Sequence, residues 1–287
     1  MAERQTQLTP DGHQFSRDDQ GIAAFQDLVL ARYRASARKF PWRETTDPYA
    51  ILVSEIMLQQ TQVGRVAEKF PAFLSAFPNF ATLATAPLAD VLAAWQGMGY
   101  NRRAIALQKC ARLVMEEYGG RLPDNPEVLA TFPGIGKATA ASICAYAFNR
   151  PVVFIETNIR RVFIHHFFND GATVSDDEIR PLVEAALYHA DPREWYNALM
   201  DYGTDLAKSV PNPNRRSRHY AKQSAFEGSD RQVRGAILKL LVAKGTLTRA
   251  ALLREMNEDN NRVGAILAAL EAEGFIRTTK KGITLAS

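Results

Sequence analysis

From Gly21 to about Phe226 the apolar residues of this chain recur at helical spacing, and nowhere in that span do they alternate as a half-buried strand requires. A body patterned this way can bury its apolar side chains only helix against helix. The first run places Ile22, Phe25, Leu28, Val29 and Tyr33 on one face. Asp47-Pro48 opens the next, with a capping acid and a proline in the first turn. Further helices are predicted over 63–76, 87–96, 103–118, 126–130, 138–147, 159–168, 176–190 and 192–207. Ahead of them, residues 1–20 are polar and read as a disordered leader. Residues 212–218 are basic and rich in turn formers, so no regular helix runs through them.

The pattern changes after a linker predicted over 228–231. Helices are expected over 232–243, 249–256 and 261–273. Residues 275–278 and 283–285 then flank Thr279-Lys280-Lys281-Gly282, a hairpin signal. Three helices followed by a basic hairpin make a small winged-helix-like α+β domain over 231–287, of the kind that binds DNA or mediates protein contacts. Charge follows the same division. The chain carries a net +4, but from Arg231 onward ten Lys and Arg face five Asp and Glu, leaving the rest at −1. A basic tail on a near-neutral body is the footprint of a phosphate-binding module, and equally of a solvated surface.

Two cysteines, Cys110 and Cys144, lie far apart in helical runs and supply neither a disulfide framework nor metal spacing. No apolar run is long enough to span a bilayer, and the first residues lack the apolar core of a signal peptide. The expectation is a soluble, cytoplasmic protein, associated with the nucleoid in a bacterium.

Three stretches carry chemistry. Phe132-Pro133-Gly134-Ile135-Gly136-Lys137-Ala138-Thr139 sets two glycines between two helices. The amides that open the second helix, its dipole and Lys137 offer a phosphate site; an ordinary helix turn is the bland alternative. In the second stretch, Ile51, Glu55 and Leu58 share one helix face, so Glu55 falls on an apolar stripe. Such a carboxylate is either paired, for instance with Arg43, or held as a proton donor by burial. The third is Phe154-Ile155-Glu156-Thr157-Asn158-Ile159-Arg160-Arg161, where Glu156 stands at a helix start and could be a capping acid and nothing more.

These stretches occur in order with Pro41-Trp42-Arg43, with the run Ser54–Val63, with Gly97-Met98-Gly99-Tyr100 and with the run Asn197–Gly203. Together, from about Phe25 to Leu206, they resemble the helix-hairpin-helix DNA glycosylases, the superfamily of endonuclease III and the MutY adenine glycosylases. The resemblance implies an all-α, two-lobed fold: a six-helix module over 47–149, and a second lobe from 21–46 with 150–226. It places double-stranded DNA and a flipped-out base at the cleft between the lobes. It assigns Glu55 as the acid that protonates the leaving base and Glu156 as the carboxylate that supports the cationic sugar. Tyr100 becomes the wedge, with Gln59 and Gln60 beside the lesion pair. Trp42, Arg43, Asn158 and Asn197 line the base pocket. Gly134, Ile135, Gly136, Lys137 and Thr139 hold the backbone, joined by Arg215, Arg216 and Arg218. Cleavage through an oxocarbenium-like state suits two carboxylates, and base flipping needs a wedge and a clamp.

Four departures qualify the resemblance. Glu156 replaces the family's aspartate. Ala138 stands where lyase members carry a Schiff-base lysine. Asn197 replaces the adenine-reading glutamine. The four cysteines of the family's iron–sulfur cluster are absent, with Ala207 at the first position, so no cofactor and no metal are expected. Arg215, Arg216, Arg218 and Lys222 would then take over that cluster's DNA-facing part. The tail replaces the family's 8-oxoguanine-sensing domain. The reading is a monomeric, monofunctional N-glycosylase of base-excision repair removing adenine opposite guanine or 8-oxoguanine. The alternatives are a uracil or thymine mismatch glycosylase and a non-catalytic DNA-binding protein.

Overall fold

A computed structural model describes residues 14–168, 171–221, 225–256 and 258–286. In chain order the α-helices are α1 (Asp19–Ser36), α2 (Pro48–Leu58), α3 (Val63–Ala76), α4 (Phe80–Thr85), α5 (Leu88–Ala94), α6 (Arg102–Glu117) and α7 (Pro126–Leu129). They continue with α8 (Lys137–Phe148), α9 (Thr157–Phe167), α10 (Asp176–Ala185), α11 (Pro192–Ser209), α12 (Asp230–Lys244), α13 (Arg249–Met256) and α14 (Asn260–Ala272). Two strands follow, β1 (Ile276–Thr279) and β2 (Gly282–Leu285), paired antiparallel with Ile276 opposite Leu285. Short 3-10 turns at Pro41–Arg43 and Pro213–Arg216 complete the regular structure of the described residues. None of their helices is long and apolar enough to cross a membrane.

Local chemistry sets the helix starts. Asp18, Asn125, Asp191 and Asp259 each accept a backbone amide of the helix they precede. Ser175 and Glu178 close a reciprocal capping box on α10. A second such box, Asn79 with Thr82, starts α4, a helix that periodicity does not reveal because it is too short to show a face. α10 stops at Ala185, short of the expected 190.

The leader expectation needs correction. From Gln14 the chain is packed: Phe15 meets the rings of Phe25 and His166 edge-on, and Arg17 donates to the Phe167 carbonyl at 2.8 Å. Residues 1–13 lie outside the described residues. The expected linker is short too, since Ser229 already precedes α12 and Arg231 is helical.

The chain divides into two compact units. One comprises Met1–Pro48, Asp124–Ala130 and Gly136–Lys222. In it α11 packs on both α1 and α9, around an edge-to-face cluster of Phe25, Phe163, Phe167 and Trp195. The unit also takes in α7 and α8, which the expected boundaries place with the six-helix module, because α8 packs on α7 and α11.

The other unit comprises Tyr49–Pro123, Thr131–Ile135 and Gln223–Ser287. Here α6 packs on α4 and α5, and the tail joins the same body through α12 on α5. Within the tail Val233, Ile237, Leu252, Val263, Leu270 and Phe275 are buried. Leu247 pairs with Ile283, adding a third short edge to the hairpin, as a winged-helix-like domain requires.

Candidate active site

α2 is apolar on nearly every side. Tyr49 through Ser54, Ile56 and Met57 are buried, and Glu55 among them is only partly exposed. The last carbonyls of a helix have no intrahelical partner, and here one side chain collects them. Arg103 donates through Nη1 to the carbonyls of Ile56 at 2.9 Å and Met57 at 2.8 Å, and also to that of Gln59. Its Nη2 reaches Thr61 Oγ1 at 2.9 Å and the carbonyls of Met98 and Gly99 at 3.1 and 3.2 Å. Burial pushes the guanidinium down to about 10, so it stays charged at neutral pH. Arg103 thus ties the end of α2 to the loop 97–100. Sequence reasoning missed it, although an arginine in line with the apolar face of Leu107, Ala111 and Val114 was a readable signal.

That loop carries Tyr100. Gly97 and Gly99 adopt φ of +86° and +68°, and Tyr100 itself sits at +45°, a region that side chains rarely adopt. Two guanidinium groups lie against the Tyr100 ring, those of Arg103 at 5.4 Å and Arg231 at 5.2 Å from its centroid. Gln59 donates to the Gly134 carbonyl at 3.2 Å, and Gln60 is exposed at φ +52°.

Gly134 takes φ +75°, and a Cβ there would lie 2.8 Å from that of Ala106, so conformation and space both call for glycine. The Ile135 side chain is buried and pins the turn, so what this residue can offer a DNA backbone is its own main chain. Gly136, Lys137 and Ala138 are exposed and Thr139 partly so, and no side chain caps the start of α8. That start therefore presents amides and a dipole end that suit an anion.

Glu156 caps α9. Its Oε1 accepts the amides of Asn158 at 2.5 Å and Ile159 at 2.9 Å, while Oε2 lies 3.4 Å from Asn158 Nδ2. Burial pushes its pKa above the usual carboxylate range, against the two amides and the charges of Arg160 and Arg161. Arg161 bonds Asn158 Oδ1 at 2.8 Å and the Gly203 carbonyl at 2.6 Å. A Cβ at Gly203 would come within 2.5 Å of Asn158 Cβ, so α11 and the start of α9 touch through a bare backbone. The cap is therefore braced from behind by Asn158, Arg161 and Gly203.

Other expected pocket residues make contacts within their own unit. Trp42 is buried and stacked on Phe40 at 4.9 Å. Arg43 forks Asp201 at 2.8 and 2.9 Å, and Arg38 donates to the same carboxylate. Burial would raise Asp201, but these two arginines hold it below the usual range. Arg43, the suggested partner of Glu55, thus spends its fork on Asp201. Asn197 is buried on α11. Arg216 bonds the carbonyls of Phe168 and Ala172, whereas Arg215 and Arg218 are exposed. Lys222 lies outside the described residues.

The family's iron–sulfur cluster does not fit the residues present. Both cysteines are buried, donate to the carbonyls of Pro133 and Asp124, and have thiols pushed up by burial to about 12 and about 11. Among the described residues no group of His, Cys, Asp and Glu could hold a metal ion.

Comparison with known proteins agrees with this geometry. Residues 53–185 match the family model of the HhH-GPD superfamily base excision DNA repair proteins. The adenine DNA glycosylase of Mycobacterium tuberculosis is 34% identical over 275 residues, covering 88% of this chain and 90% of that protein. A match of that coverage runs into the tail, beyond the expected end near Leu206. The thymine/uracil-DNA glycosylase of Methanothermobacter thermautotrophicus is 30% identical, over 62% of this chain and 82% of its own length. The solved structure of a thermostable thymine-DNA glycosylase superposes with a TM-score of 0.59 at 27% identity, covering 68% of this chain and 91% of that one.

Proposed function

Because this chain belongs to the HhH-GPD superfamily of base excision DNA repair proteins, we propose that it is a monofunctional DNA N-glycosylase that removes adenine mispaired with guanine or 8-oxoguanine. The observation that carries the base assignment is the likeness to an adenine glycosylase across nearly the whole chain, tail included. Glu55 is the proton donor. Protonating the adenine ring turns a poor leaving group into a neutral one, and the bond from the base nitrogen to C1′ breaks with its electron pair going to the base. The sugar becomes cationic, and the Glu156 carboxylate supports that charge. Water adds at C1′ and gives up a proton, leaving an abasic site. Tyr100 is the wedge, Gln59 and Gln60 lie beside the lesion pair, and the start of α8 with Lys137 holds phosphate. The enzyme works as a monomer without an iron–sulfur cluster.

The test is release of base from duplexes carrying A·G, A·8-oxoguanine, T·G and U·G pairs. Adenine release is the expected result. Thymine or uracil release instead would favour the second reading, which the Methanothermobacter relative and the shorter Asn197 keep in view. The strand should stay intact until alkali is added, because Ala138 cannot form a Schiff base. Spontaneous strand breaks with borohydride trapping would overturn the monofunctional assignment. Purified protein is expected to be colourless and free of iron while folded; stoichiometric iron with visible absorbance would refute that.

A further inference from the structure

Tyr100 is gripped by the tail. Arg231, the second residue of α12, donates through Nη1 to the Tyr100 hydroxyl while its guanidinium centre lies 5.2 Å from the ring centroid. Its Nη2 donates to the Ala225 carbonyl at 3.2 Å, which steadies the fork from its own chain. One helical turn on, Arg234 holds Glu273 at 2.5 and 3.0 Å. The same carboxylate is held by Arg102, two residues beyond Tyr100, at 2.6 and 2.7 Å. Hydrogen bonding from Arg102 in the first place, and from Arg234 against some burial, holds Glu273 down to about 2, so this link persists across the neutral range. The segment 100–102 is thus fastened to the tail at two points.

Only the first of these points touches the side chain expected to act. An arginine can lie over a ring and donate to its hydroxyl at once, because the guanidinium is planar and carries several donors; a lysine cannot do both. The guanidinium centre of Arg103 also lies 5.4 Å from the ring centroid, and Arg103 fixes the backbone of Met98 and Gly99. The backbone before Tyr100 is therefore held by α6, the hydroxyl by the tail, and the ring has a guanidinium group from each.

We propose that Arg231 is a positioning residue that presets the Tyr100 ring for entry into the base stack, so that the C-terminal segment takes part in base extrusion and not only in holding DNA. The inference rests on the reading of Tyr100 as the wedge. Unstacking a paired base is costly, and a wedge ordered beforehand loses less rotamer freedom at that step.

The experiment uses the full chain. Arg231→Ala, Arg231→Lys, Tyr100→Phe and the Arg231→Ala/Tyr100→Phe double variant are compared by single-turnover excision from A·8-oxoguanine. Extrusion is followed by the fluorescence of 2-aminopurine next to the mispair, and affinity on an undamaged duplex. Each single variant should slow both excision and the fluorescence change by about tenfold, the scale of one lost charge-assisted hydrogen bond. The double variant should be no slower than the singles, and Arg231→Lys should keep wild-type affinity for undamaged duplex. Rescue of excision by Arg231→Lys, or a double variant whose losses multiply, would overturn the proposal in favour of a phosphate contact or independent roles. A wild type that extrudes the base but excises none refutes the enzymatic reading alone, and the fluorescence arm still decides on Arg231. A wild type that extrudes nothing refutes both.

Discussion

Glu55→Gln protein will bind mispaired duplex as tightly as the wild type and release base about 10³-fold more slowly. The size follows from what a positioned general acid contributes, about 10²- to 10⁴-fold. The amide keeps the volume and shape of the carboxyl, so α2, buried along both flanks of residue 55, has no reason to repack. The carbonyls at its end stay satisfied by Arg103, whose partners are backbone atoms and Thr61. What is lost is the proton. An amide has none to give near neutral pH, so adenine must leave as an anion. Single-turnover excision and fluorescence anisotropy measure the two halves of the claim. Excision at the wild-type rate would remove Glu55 from the mechanism. A parallel collapse of affinity or thermal stability would make it a structural group.

The second large effect concerns Glu156 and has three parts. Glu156→Gln should reduce excision by about 10²-fold or more, since a developing cation loses its fixed negative partner. The same variant should be at least as stable as the wild type at neutral pH. The sign follows from burial: the folded-state pKa of Glu156 is raised, so above it the folded protein carries a desolvated charge that the unfolded chain hydrates freely. Stability is therefore given up as pH rises from the unfolded to the folded pKa, and a neutral side chain avoids that loss. Wild-type excision should for the same reason fade on acidification at a higher pH than an ordinary carboxylate allows, because the anion is lost there first. Glu156→Asp is the finer comparison. Aspartate caps helices well and should preserve α9, but it withdraws the second oxygen by about 1.5 Å, one carbon–carbon bond. The segment here is fitted to the longer side chain, with one oxygen on two amides and Asn158 braced by Arg161 and Gly203. Excision should then drop by about 10²-fold with the melting temperature unchanged. Full activity in Glu156→Asp would mean that the segment tolerates either reach. Full activity in Glu156→Gln would end the electrostatic role.

Helices proved legible in the sequence where caps and periodicity coincide. α3 and α13 begin and end where spacing puts them, and the Pro-led starts of α2, α7 and α11 are marked by the residues before them. α4 was invisible because six residues do not make a stripe, though its Asn79 and Thr82 box was there to be seen. The carboxylates were legible as residues out of place: Glu55 within an apolar helix, Glu156 at a helix start. Their surroundings were not. Arg103 and Arg231 act through partners many residues away, and spacing carries no record of such contacts. Burial of the apolar members of motifs was not legible either: Ile135 and Trp42 lie inside recognisable runs, and both side chains are buried. Tail charge misled in part as well: Arg234, Lys244 and Arg262 are engaged with Glu273, Glu255 and Asp230, so fewer cations face outward than a count implies.

The backbone passes from one compact unit to the other five times, at 48/49, 123/124, 130/131, 135/136 and 222/223. Neither unit is a continuous length of chain, and the segment 131–135 is inserted into one from the middle of the other's sequence. No single cut in the gene yields either unit whole, and no crossover between related genes can exchange one and leave the other complete. Such a protein is barred from evolving by the trading of modules. It can diversify only residue by residue, or by growth at its ends, and while the unit that ends at Lys222 is complete in sequence at that point of synthesis, the other must wait for the tail before it can close its core.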